Sequence, residues 1–277
     1  MKNLIVGSAA WRSSYGISNS NLNLNDLKEL FQFLEKNNIL TIDTASSYGD
    51  AEDVIYKYSD KFKIHTKIKP FKQKREFIEE LSKVNNAAVK VVYFHDEKIL
   101  KRFSSLQIFD FVQEIRERGF YPGFSLYEKE EFVMAVNQYS DKAYYQVPLN
   151  IFDLVSAKGL SKKIEKRTIF RSLFLRGFIF LNESEIKFYL GNEYNEIKIR
   201  FEEFYEMKFE KDSFQKLTYS LIRYIDEKDL KFTIGLNSIK EIKEFIKNVG
   251  DAKIKRLDWE EKIRKSNTIL PITQITI

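Results

Sequence analysis

Four side chains near the ends of short apolar runs could together deliver a proton to an oxygen. Asp43 lies within the run LTIDTAS (40–46) and Tyr48 just after it, Lys67 is near the end of KIHTKI (63–68), and His95 near the end of VKVVYFHD (89–96). A phenol with a pKa near 10 is a poor acid at neutral pH. A neighbouring ammonium favours the phenolate and so makes the phenol a better donor, and a carboxylate keeps that ammonium charged and in place. An imidazole beside them can hydrogen-bond an oxygen that is gaining negative charge. Singly, each residue also has a plainer reading. Asp43 could cap a helix, Lys67 could be a surface lysine, His95 a loop histidine, and Tyr48 is one of 15 tyrosines. Zero cysteines exclude disulfides, thiolate nucleophiles and zinc ribbons. Two histidines, His65 and His95, argue against a His-rich metal centre, and no metal is expected.

What must position these groups is a repeated strand-then-helix unit. Eight short β-rich runs occur at 4–11, 40–46, 63–68, 89–96, 121–127, 143–150, 167–174 and 231–237. Between them lie amphipathic segments such as LNDLKELFQFLEKNN, KREFIEELSKV, LQIFDFVQEIRERG and KEEFVMAVNQYS. Asn25 or Asp26 is expected to cap the first helix and Gly119 to close the third. The stretch from about 184 to 229 exceeds one unit and reads as an extended helical region with its own entry segment. Eight units in 277 residues fit an α/β (β/α)8 TIM barrel occupying 1–277 as one domain. The alternative, a doubly wound sheet that binds a dinucleotide, wants a G-x-G-x-x-G turn after its first strand, and none follows Val6. In a barrel the site gathers at the carboxyl ends of the strands, where Asp43, Tyr48, Lys67 and His95 all fall.

Composition narrows the class further. With 43% hydrophobic and 31% charged residues, the chain is neither disordered nor membrane-embedded, and no apolar run approaches the roughly 20 residues of a spanning helix. The net charge of +6 is spread over lysines interleaved with glutamates, as in EIKEFIKN, which reads as solvated helix faces and not as a nucleic-acid surface. The start of the chain carries no export-signal pattern, so the expected location is cytoplasmic.

At DTASSYGDAE, Asp43 to Glu52, the sequence resembles the aldo-keto reductase family, whose second strand ends in Asp-Thr-Ala, two variable residues, then Tyr-Gly. The lysine of HTK and the histidine of YFHD fall where that family places its other two catalytic groups. The resemblance therefore implies Asp43, Tyr48, Lys67 and His95 as a catalytic tetrad. The segments YGISN (15–19), GFSLY (123–127), FRSLFLRG (170–177) and IGLNS (234–238) are similar to a bacterial branch associated with surface-polysaccharide gene sets. That association suggests a sugar-like substrate.

By resemblance alone, the cofactor is NADPH, or NADH, lying across the barrel mouth. Gln146 and Ser125 would meet the nicotinamide end, Ser172, Leu175 and Gly177 the pyrophosphate path, and Gly235, Asn237 and Ser238 the adenosine phosphate end. Trp11, Arg12 and Asn150 would line the substrate pocket. Two departures stand out. Where relatives grip the adenosine end with an arginine or glutamine and then an asparagine, this chain has Glu241 and Phe245, with Lys240 and Lys243 close in sequence. At the first strand Arg12 replaces the branch's usual glycine.

The expected activity is NAD(P)H-dependent reduction of an aldehyde or ketone to an alcohol. Hydride transfer to the carbonyl leaves an alkoxide, which Tyr48 would protonate. The expected partner is a small carbonyl compound, with no nucleic acid and no membrane. The alternative is a cofactor-binding accessory or regulatory barrel with little turnover. A sugar lyase, epimerase or isomerase would want paired carboxylates or a metal at the barrel mouth, and the sequence supplies no such set. His65, two residues before Lys67, has no assigned role.

Overall fold

The sheet closes on itself. In the computed structural model, which describes residues 1–12, 22–95, 98–139, 142–252 and 257–269, eight parallel strands pair in sequence order and the eighth pairs back to the first. They are β1 (Leu4–Gly7), β2 (Thr41–Asp43), β3 (Lys63–Ile68), β4 (Val89–Phe94), β5 (Tyr121–Ser125), β6 (Tyr144–Pro148), β7 (Thr168–Arg171) and β8 (Lys231–Gly235). The helices are α1 (Leu24–Lys36), α2 (Ala51–Lys57), α3 (Lys74–Lys83), α4 (Ile99–Arg102), α5 (Ser105–Glu117), α6 (Lys129–Tyr139) and α7 (Lys162–Glu165). They continue with α8 (Glu183–Leu190), α9 (Tyr194–Tyr205), α10 (Lys211–Glu227), α11 (Ile239–Asp251) and α12 (Trp259–Lys265). This is a (β/α)8 TIM barrel. The segment YGISN lies outside the described residues, as does Asp96 at the end of the fourth expected strand.

β3 fills its run; the other strands are shorter than theirs, and most of the excess falls at the carboxyl end. The fifth run reaches Tyr127 but β5 stops at Ser125, and the seventh reaches Phe174 but β7 stops at Arg171. Those extra residues leave the ladder to build the barrel mouth. The first helix is capped by Asn23, not by Asn25 or Asp26. The Asn23 side chain accepts from the backbone N–H groups of Asn25 and Asp26, and the Asp26 carboxylate accepts from the Asn23 N–H, a reciprocal cap that leaves Asp26 as the third helical residue. Gly119 does close α5, at φ +85°. The long region after β7 divides into α8, α9 and α10, broken at Gly191 and at Glu206, whose φ of 56° is left-handed.

Two cores hold the barrel. The larger lies between sheet and helices, where Leu27, Leu30, Phe31 and Leu34 of α1 and Leu217, Leu221 and Ile225 of α10 present one face each. The smaller fills the barrel axis with Ile5, Val91, Tyr93 and Ile169, against which Tyr144 packs. Tyr93 fits because β5 has a glycine opposite: a Cβ on Gly123 would stand 2.4 Å from Tyr93 Cδ1. The axis is thus plugged by a tyrosine carrying a polar tip, and that tip meets the floor of the site.

Candidate active site

Side chains alternate in and out along a strand, so one inward position per strand reaches the carboxyl end of the barrel at about the same height. Gly7, Asp43, Lys67, Ser125, Gln146, Arg171 and Gly235, from seven of the strands, and His95, one residue past β4, all line a single cavity of about 620 Å³. Strand pairing sets their register. Gly7 pairs with Asp43, Ser125 with Gln146, and Gly235 with Gly7. Tyr48 enters from the turn before α2, where its N–H donates to the Ala45 carbonyl.

The floor is a buried ion pair. Lys67 Nζ donates to Asp43 Oδ2 at 2.5 Å and to the Thr44 carbonyl at 3.2 Å, with the two side chains 3% and 8% exposed. Burial lowers the Lys67 pKa from its ordinary value and Asp43 opposes that shift. The other carboxylate oxygen of Asp43 accepts from Gln146 Nε2 at 2.5 Å. A carboxylate only accepts, so the Gln146 amide must turn its NH2 to Asp43. The same Gln146 side chain hydrogen-bonds the Tyr93 hydroxyl, which lies 3.2 Å from His65 Nδ1. A polar line therefore runs down the axis from Lys67 through Asp43, Gln146 and Tyr93 to His65.

Lys67 Nζ lies 5.7 Å from the centre of the Tyr48 ring, and that ring meets His95 edge-on at 6.0 Å. Desolvation, with Lys67 and Arg171 adding like charge, pushes the His95 pKa down to about 3. His95 is neutral at pH 7. Its Nδ1 lies 3.4 Å from Ser47 Oγ. With Nδ1 accepting from that hydroxyl, Nε2 carries the proton. Phenol, ammonium and imidazole N–H are thus three proton-bearing groups at one end of the cavity. His65 is also pushed down to about 3, mainly by burial. It is part of the barrel's internal structure.

Of the other sequence-predicted residues, Ser125, Gln146, Ser172, Gly177, Gly235 and Asn237 line the cavity. Five do not. Trp11 is 1% exposed; its indole N–H donates to the Leu236 carbonyl at 3.0 Å and its ring packs edge-on against Phe31. Arg12 turns away to clamp Asp50 at 2.7 and 2.8 Å and to donate to the Leu22 carbonyl. Asn150 is buried, its Oδ1 accepting from the Phe152 and Asp153 N–H groups in a turn after β6. Leu175 is core. Ser238 caps α11 by accepting from the Glu241 N–H, and Glu241 accepts in return from Asn237.

Several cavity residues were not among the expected set. Arg171, Tyr127, Phe174, Arg176, Phe180, Tyr219 and Glu244 line it. So do Glu241 and Phe245, while the lining does not include Lys240 or Lys243. Ser172, Leu175 and Arg176 have φ of 61°, 48° and 53°, and Gly177 has 102°. Left-handed backbone at three non-glycine residues in one short loop is costly and marks a segment shaped by its surroundings. Arg171 had a signal: it stands two residues after the buried Ile169, on the inward side of β7.

Two features of this cavity suit the nicotinamide cofactor that the resemblance implies. The Oε1 of Gln146 is buried and without a partner among the described residues, an acceptor suited to a carboxamide N–H. At the other end the aromatic rings of Tyr219, Phe174 and Phe245 pack together, and Glu241 and Glu244 place carboxylates on α11. Among the described residues, no three His, Cys, Asp or Glu side chains are grouped to hold a metal ion, and no helix is long and apolar enough to cross a membrane.

No family model and no curated protein matches the chain. Among solved structures it is similar to a putative aldo-keto reductase from Pseudomonas aeruginosa, at 12% identity over 90% of each chain with a TM-score of 0.57. It is also similar to MGS-M4, an aldo-keto reductase from a Medee basin deep-sea metagenome library, at 15% identity over 98% of this chain and 93% of that one, TM-score 0.54. At such identities the likeness is one of fold.

Proposed function

We propose that the protein is a nicotinamide-dependent reductase that converts an aldehyde or ketone to an alcohol. The observation that carries this reading is the meeting of Tyr48, His95 and the buried Lys67–Asp43 pair at one end of a single cavity of about 620 Å³. The aldo-keto reductase fold neighbours support it. When bound, the cofactor supplies the hydride.

The chain's own groups manage the oxygen. Neutral His95 donates from Nε2 to the carbonyl oxygen and orients it, and Tyr48 transfers its phenolic proton to the same oxygen as charge builds there. The Lys67 ammonium stabilises the phenolate left behind. Asp43 holds the ammonium, and Gln146 holds Asp43 while offering Oε1 to a carboxamide. Ser125 stands next to Gln146 in the paired strand at the same end. Ser172, Gly177, Gly235 and Asn237 line the same cavity and would meet the cofactor's phosphates and adenosine end as the resemblance implies. The carboxylates of Glu241 and Glu244 would repel a 2′-phosphate and accept from a free ribose hydroxyl. NADH should therefore bind at least as tightly as NADPH. An open sugar or sugar-derived carbonyl is within the substrate class.

The test is Tyr48→Phe. Carbonyl reduction, followed by cofactor absorbance over a panel of aldehydes and ketones, should fall at least ~10²-fold with cofactor affinity retained. Full activity in that variant would remove Tyr48 as proton donor.

A further inference from the structure

Arg171 is the last residue of β7 and lines the cavity beside Lys67 and His95. Its guanidinium is held firmly and not by a counter-ion. Nη2 donates to the Leu126 carbonyl at 2.9 Å, Nη1 to Ser172 Oγ at 3.2 Å, and the group lies 4.0 Å over the Tyr127 ring. Among the described residues no carboxylate pairs with it. Nε has no acceptor. Of the carboxylates that line the cavity, Asp43 already serves Lys67 and Gln146 on its two oxygens, and neither Glu241 nor Glu244 forms an ion pair with Arg171.

The charges around the reacting end then add up simply. Lys67 is cancelled by Asp43 and His95 is neutral, so among the described residues Arg171 adds a positive charge there that no carboxylate pairs. It stands close enough to add to the downward pKa shifts of both Lys67 and His95. An arginine fixed by a carbonyl, a hydroxyl and an aromatic face has N–H donors left over in a planar fork, the geometry that matches carboxylate and phosphate oxygens.

The geometry points to Arg171 as the receptor for a carboxylate or phosphate carried by the substrate close to its carbonyl carbon, so that the natural substrates are anionic carbonyl compounds such as 2-oxo acids, acidic sugars or phosphorylated aldehydes. That the anion belongs to a carbonyl compound rests on the reductase reading; that Arg171 binds an anion does not. The cofactor's pyrophosphate is the other source of the same chemistry. Ser172, which accepts from Arg171 Nη1, is the residue that would border that pyrophosphate, so the NADH titration is what separates the two sources.

The experiment compares the wild type with Arg171→Met and with Arg171→Lys, which keeps the charge and loses the fork, after circular dichroism has shown that the variants fold. Oxamate, a carboxylate-bearing mimic of a 2-oxo acid that is not reduced, and inorganic phosphate are titrated by calorimetry. NADH is titrated separately by fluorescence. Oxamate or phosphate should bind the wild type, with affinity falling roughly 10- to 100-fold in Arg171→Met and less in Arg171→Lys. The ratio of kcat/KM for glyoxylate over that for acetaldehyde should fall by a similar factor. Loss of NADH affinity with no change in oxamate or phosphate binding would assign the arginine to the cofactor and overturn the proposal. Absence of anion binding by the wild type, or equal binding by Arg171→Met, would overturn it too. A wild type that binds oxamate through Arg171 yet reduces no carbonyl would uphold the anion site and sink the reductase reading; one that reduces acetaldehyde but shows neither anion binding nor anion preference would do the reverse.

Discussion

Replacing Asp43 by asparagine strands the Lys67 ammonium in the barrel floor. At the Nζ to Oδ2 separation of 2.5 Å, Coulomb's law with an effective dielectric of about 20 gives a gross attraction of about 7 kcal/mol. Part of this is offset by the desolvation that both groups have already undergone and by the carbonyl of Thr44, which still accepts from Nζ. Breaking a buried pair on one side typically costs about 3–5 kcal/mol, and we expect Asp43→Asn to lie in that range at pH 7. The loss should depend on pH in a defined direction. A lysine whose folded pKa lies below its unfolded value stabilises least at low pH, because the folded state must carry or release a proton that the unfolded state holds comfortably. Burial already lowers the Lys67 pKa in the wild type, with Asp43 opposing, so removing Asp43 lowers it further and extends that window downward. Relative to wild type at the same pH, the deficit should therefore shrink as pH rises from 7 toward 10. Urea unfolding followed by far-UV circular dichroism at several pH values measures it. Lys67→Met added to Asp43→Asn should recover part of the loss at pH 7, since no buried charge remains. A deficit that does not change with pH, or no recovery from Lys67→Met, would refute the reasoning.

Three further outcomes follow from the same geometry. Burial pushes the pKa of both His65 and His95 down to about 3, so the histidine contribution to stability should be level above pH 6.5 and fall as pH drops from there toward 3, by up to about 1.4 kcal/mol per pH unit for each histidine; His65→Phe should reduce that slope in urea titrations. Gly123→Ala drives a Cβ into the Tyr93 ring and should cost about 1–3 kcal/mol in thermal unfolding, while in a Tyr93→Ala background the same change should cost almost nothing; additive effects would mean the ring is not the obstacle. Glu241→Gln keeps an acceptor for the Asn237 N–H and removes a cavity carboxylate, so the ratio of NADPH to NADH affinity, read by fluorescence titration, should rise several-fold; an unchanged ratio would place the 2′-position elsewhere.

The order of strands was legible because each short apolar run could only be a strand in a chain of alternating helical patterns. The ends were not, since residues such as Tyr127 and Phe174 look equally apolar whether they continue a ladder or line a cavity mouth. That Asp43, Tyr48, Lys67 and His95 would gather at one end of the barrel was legible from their places at and after successive strands. Trp11 and Arg12 were misplaced for a physical reason: a residue just past a strand can turn either way, and the Leu236 carbonyl and the Asp50 carboxylate offered these two side chains partners outside the cavity. Asn150 was claimed by its own turn in the same way. Arg171 was passed over although its alternation with Ile169 placed it inward. Nothing in the pattern of one strand says that an arginine there has no counter-ion, because that depends on Asp43 being occupied from two other strands.

The polar axis of the barrel ties stability to placement. A barrel filled with aliphatic layers would be easier to pack, yet here Tyr93 and His65 occupy the centre and Gly123 gives up its side chain to admit the ring. What this arrangement secures is the orientation of one amide. Gln146 needs one N–H on Asp43 and the other on Tyr93, which leaves its buried carbonyl oxygen without a partner among the described residues. Tyr93 can accept from Gln146 because its own proton has an acceptor in neutral His65. Protonating His65 would therefore do more than bury a charge: it would take away the acceptor for Tyr93 O–H, turn the phenol back toward Gln146, and loosen the one group that fixes both Asp43 and the open Oε1. Gln146→Leu removes this link while leaving the Lys67–Asp43 pair intact. It should weaken nicotinamide cofactor binding in a fluorescence titration by more than it lowers thermal stability, and an unchanged affinity would mean that the barrel axis supports the fold alone.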